Sequence, residues 1–239
     1  MNKSILVTLF LSTLALPSAF AGVIDTDPLN IVFVDSASVA DPLGINQLES
    51  DDNIFLIEEK QNFVLEDNLA VEQLISSPDN LTLDGSSTHS DVLVAGTEIN
   101  SFLFHYDAIT ASPTGTSWTR DLSGRFTFDT EIIAVIWTGP LFPNTGTEYD
   151  LLGASDYLGN STYTFTEGRG LEPESGESSD ATQDFFTISD DLKTVDVNFK
   201  VMPEFSDHLR VITAAKIPEP TAILLFGSAL ALLGFRRFS

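Results

Sequence analysis

Apolar and polar positions alternate with a period of two over most of the middle of the chain. In KTVDVNFKV, Lys193 to Val201, the side chains of Val195, Val197, Phe199 and Val201 share one face and those of Thr194, Asp196, Asn198 and Lys200 the other, which predicts a half-buried strand. Phe102, Phe104 and Tyr106 alternate likewise in EINSFLFHYD, as do Phe126 and Phe128 in GRFTFD, Tyr163 and Phe165 in STYTFT, and Leu209 and Val211 in HLRVIT. LNIVFV (Leu29 to Val34) and EIIAVIW (Glu131 to Trp137) are apolar on both faces, so they are expected centrally in a sheet or between packed sheets. In FVLEDNLAVEQL, Glu66-Asp67-Asn68 separates two strand-like pieces and predicts a hairpin turn; Asp84-Gly85 and Ser123-Gly124 mark further reversals. Helical periodicity is weak, and EYDLLGASDYL, Glu148 to Leu158, is the best place for one or two helical turns. GRGLEPESGESSDATQD, Gly168 to Asp184, reads as a long solvated loop. No repeat of 20 to 50 residues and no internal break in composition divides the chain. The expected fold is all-β, a single antiparallel β-sandwich of jelly-roll type over residues 22–213.

Both ends depart from this pattern. Lys3, the apolar run from Ile5 to Leu16, the break at Pro17 and the small-x-small triplet Ala19-Phe20-Ala21 predict a secretory signal peptide over 1–21, cut after Ala21. The run is short for a retained anchor and polar, acidic sequence follows it. At the other end, the 15 residues from Thr221 to Phe235 carry no charge. As a helix they would extend about 22 Å, short of a ~30 Å hydrocarbon core. Arg236 and Arg237 follow at once and are expected to stay on the cytoplasmic side, leaving the acidic body outside. Upstream, Pro218-Glu219-Pro220 blocks helix propagation and keeps the preceding chain extended.

This order, Pro-Glu-Pro, a short apolar helix with Gly227 and Gly234, then a basic terminus, resembles the PEP-CTERM sorting signal of Gram-negative bacteria. The resemblance covers about the last 22 residues, within a terminal segment, 214–239, of linker and signal. It implies insertion of the tail in the inner membrane, recognition and removal by an exosortase-type enzyme after signal peptidase has acted at the other end, and delivery to the cell surface or an exopolysaccharide matrix. The alternative is a simple tail anchor. The body also resembles a recurrent exported bacterial type of unassigned activity, on FVLEDNLAVE, GTEINSFLFHYD, GRFTFDTEIIAVI, LLGASDYLG, GRGLEP and DHLRVIT, in this order over Ile54 to Thr213.

Composition narrows the function classes. With 11 basic residues against 35 acidic ones the formal net charge is -24. Removing both ends takes away Lys3, Arg236, Arg237 and Glu219 and leaves 8 basic and 34 acidic residues, a net charge of -26. Nucleic acid is excluded as an expected partner, since phosphate binding draws on clustered Lys and Arg. The chain has no cysteine, which removes disulfides, thiolate metal sites and thiol nucleophiles together. A content of 43% hydrophobic residues, 18 of them Phe, is enough for a real core.

No catalytic constellation stands out. His89, His105 and His208 are too far apart in sequence for a local HExxH motif, and His105, on the strand face opposite Phe102, is expected at the surface or partly buried. His89 has serines and Asp91 nearby, but no GxSxG nucleophile elbow is present. Glu58-Glu59 and Asp190-Asp191 read as solvated edges or turns, and Glu131, ahead of an apolar strand, is the best candidate for a buried carboxylate. Asp51-Asp52-Asn53, and Asp79-Asn80 with Asp84, offer hard oxygen ligands for a structural calcium ion, without EF-hand spacing; no other cofactor is expected. The competing reading of these acids is a surface that keeps an exported protein soluble. Trp118, in the polar stretch GTSWTR, is the candidate glycan contact, whereas Trp137 belongs in the core. The expectation is a non-enzymatic exported protein with a structural or adhesive body. A carbohydrate-binding module of the exopolysaccharide matrix is the alternative, and a secreted glycan hydrolase comes third.

Overall fold

Alternation is the organising fact of the folded chain, and it is read here from a computed structural model. The structure describes residues 28–39, 43, 47–77, 91–109, 120–139, 150–159, 170–171, 184–201 and 206–216. The signal-peptide segment 1–21, the reversal at Asp84-Gly85, the strand expected at Tyr163 and Phe165, most of the acidic loop, and the tail from 217 onward lie outside them.

Eleven strands are named among the described residues: β1 (Ile31–Asp35), β2 (Ile54–Val64), β3 (Leu69–Val71), β4 (Gln73–Leu74), β5 (Asp91–Leu93), β6 (Glu98–Tyr106), β7 (Arg120–Thr127), β8 (Ile132–Ile136), β9 (Phe185–Ile188), β10 (Thr194–Val201) and β11 (Asp207–Ala214). Among the described residues helix is limited to α1 (Leu151–Ala154) and short 3-10 turns, and the turns at 151–158 fall in the stretch expected to hold one or two. The protein is all-β. Six strands form a sheet in the order β1-β2-β6-β11-β8-β4, three form another in the order β7-β10-β9, and β3 pairs with β5. Every pairing is antiparallel except β1 with β2, which is parallel.

Strand β10 behaves as its pattern dictates: Val195, Val197, Phe199 and Val201 are buried, and the residues between them are half-buried. They join Phe126, Phe128 and Phe186 from the small sheet and Ile54, Leu56, Phe102, Phe104, Leu209 and Val211 from the large one in a shared core. Phe128 sits at its centre, 4.8 Å from the Phe102 ring and 5.1 Å from the Phe126 ring. Tilted and edge-on pairs of this kind add about 0.5–1.5 kcal/mol each beyond the area they bury. The opposite face of the large sheet is covered too. Ile57, Ile99, Leu103, Ala134, Ile136 and Ile212 pack there against Leu69, Val71 and Leu93 of the two-stranded sheet, Leu152 and Leu158 of the helical turns, and Val39 and Leu43 of the β1–β2 crossover.

Three sequence expectations are corrected. LNIVFV becomes β1, at the edge rather than the centre, because a parallel partner needs a crossover and the end of the sheet receives it; Val32 stays 40% exposed. Glu66-Asp67-Asn68 does not close a hairpin, since β3 pairs with β5 and not with β2. Ser123-Gly124 is no reversal but the middle of β7. A Cβ on Gly124 would lie 3.0 Å from side-chain atoms of both Ile31 and Ile54, so the glycine is there to let the two sheets approach. Just before β1, Leu29 exchanges backbone hydrogen bonds with Arg125 of β7, so the chain steps from one sheet to the other at this corner.

Candidate functional site

The densest buried polar chemistry lies on the second face of the large sheet. It starts from a bulge. Glu58 pairs with Phe102 and Lys60 with Ser101, which leaves Glu59 as the extra residue of β2. Glu59 shares the strand face of Ile57, two residues before it, and its carboxylate accepts a 2.7 Å hydrogen bond from Ser101 Oγ. Further along, Asn62 takes a positive φ of 46° and its N–H donates to Asn100 Oδ1 at 2.9 Å, so a second irregularity is satisfied from the neighbouring strand.

On β11, Leu209 and Val211 face the shared core, and strand periodicity sends Arg210 to the opposite face with Ile212. Arg210 and Glu59 are both 0% exposed. Their contact is a two-pronged one: Nε to Oε2 at 2.7 Å and Nη2 to Oε1 at 2.7 Å. The remaining N–H groups reach the helical turns, Nη1 to the Leu152 carbonyl at 3.1 Å and to Ser155 Oγ, and Nη2 to Asp156 Oδ1 at 3.3 Å. Ser155 in turn donates to the Leu151 carbonyl at 2.6 Å. A guanidinium has five N–H donors, and all five are accounted for here. The segment 151–158 folds into helical turns because Asp150 caps Gly153 N–H at 2.7 Å, and Leu152 and Leu158 then press it onto the sheet. Arg210 thus fastens the turns to β2 and β6 through one side chain.

At the end of the same face, His105 of β6 and His208 of β11 stand directly opposite each other, and both are fully buried. His105 Nε2 is 2.9 Å from the Gln47 carbonyl oxygen, so that nitrogen carries the proton. His105 Nδ1 is therefore the acceptor of the 2.7 Å contact, and His208 Nε2–H donates.

A third buried acid, Glu72, lies between β3 and β4 and is 4% exposed. It accepts from Trp137 N–H at 3.1 Å and Thr138 N–H at 2.7 Å where β8 ends. Burial pushes its pKa from 4.5 up to about 7, and the hydrogen bonds from Thr138 and Trp137 restrain the rise. Glu58 is also raised, first by burial, with the side-chain hydrogen bond from Gln61 opposing and the neighbouring Asp35 charge adding to it.

Most residues singled out from sequence are not brought together. Asp51 and Asp52 lie in the turn before β2, where Ser50 Oγ accepts from the N–H groups of Asp52 and Asn53 at 3.1 and 3.0 Å. Among the described residues no group of three or more His, Asp or Glu side chains is placed to hold a metal ion. Asp79, Asp84, His89, Trp118, Ala19, Ala21, Pro218, Glu219, Pro220, Arg236 and Arg237 lie outside the described residues. Among those residues no helix is long and apolar enough to cross a membrane, and 221–235 is not among them. Trp137 is in the core at 6% exposure, edge-on to Phe186.

Two carboxylate expectations are reversed. Glu131 is exposed, because the buried register of β8 begins one residue later at Ile132; Glu59 is buried, because it shares the strand face of Ile57 and that face is covered. His105 is likewise fully buried rather than at the surface or partly buried, since its face of the sheet is covered. Arg210 went unread; the available signal was Ile212 on the same strand face, which a solvent-facing surface would not favour.

No family model, curated protein or solved structure matches this chain.

Proposed function

We propose that this chain is an exported, non-enzymatic protein of the cell surface or extracellular matrix, whose single jelly-roll-like β-sandwich, over residues 22–213, serves as a structural or adhesive body. The observation that carries the reading is the use of Arg210. Its five donors, with Glu59, Ser101, Ser155 and Asp156, are spent on joining layers of the fold, so the most concentrated buried chemistry acts as a fastening. The terminal segments supply the destination: a leader cut after Ala21, a tail held in the inner membrane by residues 221–235, and removal at Pro218-Glu219-Pro220 by an exosortase-type enzyme.

The test is the intact mass of the protein recovered from its native host, with and without the sorting protease. The expected mass corresponds to a chain starting at Gly22 and ending near Pro218 to Pro220, and this species disappears when the protease is deleted. A mass that still includes Arg236 and Arg237 in the normal host would make it a tail-anchored surface protein and overturn the matrix assignment.

A further inference from the structure

The outward face of the small sheet has no part in the fastening just described. Its registers set four rows across the strands: Thr194 beside Thr127 at one end, then Thr187, Asp196 and Arg125, then Phe185, Asn198 and Ser123, and Lys200 beside Asp121 at the other end. Directly opposed residues of an antiparallel sheet point to the same face, and the buried residues between them, Phe186, Val197 and Gly124, point to the other. The face is a braced polar array. Asn198 Nδ2 donates to Asp121 Oδ1 at 2.6 Å and to Ser123 Oγ at 2.8 Å, and Arg125 Nε donates to Asp196 Oδ1 at 2.6 Å.

Beside this array stands one large apolar ring. Phe185 is 51% exposed, at a register position whose strand neighbour is Asn198. Its backbone is fixed on both sides: Asp184, 1% exposed, accepts from Lys200 N–H at 2.9 Å at the start of β9, and Phe186 is anchored in the core at 0% exposure. A ring placed next to fixed amide, hydroxyl and carboxylate groups offers a stacking surface and an adjacent set of hydrogen-bond partners on one plane.

Charge decides what such a plane can accept. The outward positions of β7, β9 and β10 carry Arg125 and Lys200 against Asp121 and Asp196, two of each sign, in a chain whose net charge is -24. A polyanion is repelled by the molecule as a whole, and a polycation would be drawn to other surfaces first. An uncharged ligand rich in hydroxyls, with a flat apolar side, matches both the ring and the array.

We propose that this face binds a neutral polysaccharide, with a pyranose ring stacked by its C–H side on Phe185 and its hydroxyls meeting Asn198, Asp121 and Ser123. The assignment names the ligand class of the adhesive body and rests on that reading for its biological setting. It is a separate site from the glycan contact expected at Trp118, which lies outside the described residues.

The experiment is affinity electrophoresis of the full chain in gels containing hydroxyethylcellulose, polygalacturonate or no polymer. Hydroxyethylcellulose is expected to retard the native chain, with Phe185→Ala and Asn198→Ala each weakening the apparent Kd about tenfold. Phe185→Trp is expected to keep the retardation, and Val94→Ser, at an exposed site just after β5, to leave it unchanged. Absence of retardation by hydroxyethylcellulose, retardation only by polygalacturonate, or full retardation of Phe185→Ala would each overturn the proposal. The gels read binding alone, so their failure leaves the export reading standing, just as an uncut tail in the mass experiment leaves the binding face standing.

Discussion

Among the described residues two arginines meet carboxylates, one within the layered interior and one on the outside of the small sheet. Arg210 and Glu59 are both 0% exposed and share two 2.7 Å bonds. Arg125 and Asp196 meet at 2.6 Å with side chains 60% and 38% exposed. The distances are alike, but the consequences differ because the surroundings do. Water screens the outer pair and competes for its partners, so such pairs contribute about 0–1 kcal/mol. The inner pair has left water behind, so each charge depends on the other and on Ser101, Leu152, Ser155 and Asp156. What the inner pair provides is specificity of assembly. It allows one placement of the helical turns on the sheet, since any other leaves donors of Arg210 unmet.

The comparison is tested hardest at Arg210. Replacing it with Met leaves the Glu59 carboxylate buried with Ser101 as its remaining hydrogen-bond partner among the contacts described, and a loss of about 3–5 kcal/mol is expected. Chemical denaturation followed by tryptophan fluorescence measures it. Adding Glu59→Leu to the same chain is expected to recover much of the loss, because two apolar side chains of similar volume need no partners. If the double variant is as unstable as Arg210→Met alone, the deficit comes from packing of the helical turns and not from a stranded charge.

Glu72 sharpens the comparison from the acid's side, since it is a buried carboxyl with backbone N–H groups where Glu59 has a guanidinium. Its pKa is raised from 4.5 to about 7, burial being the largest cause. Between those values the folded chain holds the proton and the unfolded chain has released it, so the contribution to stability is full below pH 4.5 and is lost as pH rises to 7. The loss amounts to about 3 kcal/mol. Denaturant midpoints measured from pH 5 to pH 8 are expected to fall for the native chain, and the fall is expected to be smaller in Glu72→Gln by about that amount. Equal slopes in the two proteins would mean that the buried carboxyl is ionised throughout, stabilised by Trp137 and Thr138 N–H alone.

The two pairs also differ in how much of them could be read from sequence. Alternation in KTVDVNFKV placed Asp196 and Asn198 on the outer face, and the structure has them there. The same rule marks the Phe102, Phe104 and Tyr106 face of β6 as buried. It puts Glu59 on the face of Ile57, but nothing in EEKQN announces that this second face is covered by other parts of the chain. It fails for His105 and His208 in a different way: their pairing depends on β6 and β11, more than 100 residues apart, lying side by side, and spacing along the chain carries no trace of that. Gly124 misled for a third reason. Glycine after serine is turn chemistry when read locally, whereas here it is demanded by Ile31 and Ile54 across the sheet interface.

The smallest expected effect is at Arg125. Its side chain can release Asp196 to water without stranding it, so Arg125→Gln is expected to change stability by at most about 1 kcal/mol. The contribution that does exist is Coulombic and exposed, and raising the salt from 0.05 M to 1 M should remove most of it, because the screening length then falls to about 3 Å. Denaturation of Arg125→Gln, Asp196→Asn and the double variant at both salt concentrations isolates the pair's own coupling. A coupling above about 2 kcal/mol that survives 1 M salt would show that the outer face is desolvated in solution. Arg125 and Asp196 would then share the environment of Arg210 and Glu59, and the distinction between fastening and open surface would have to be redrawn.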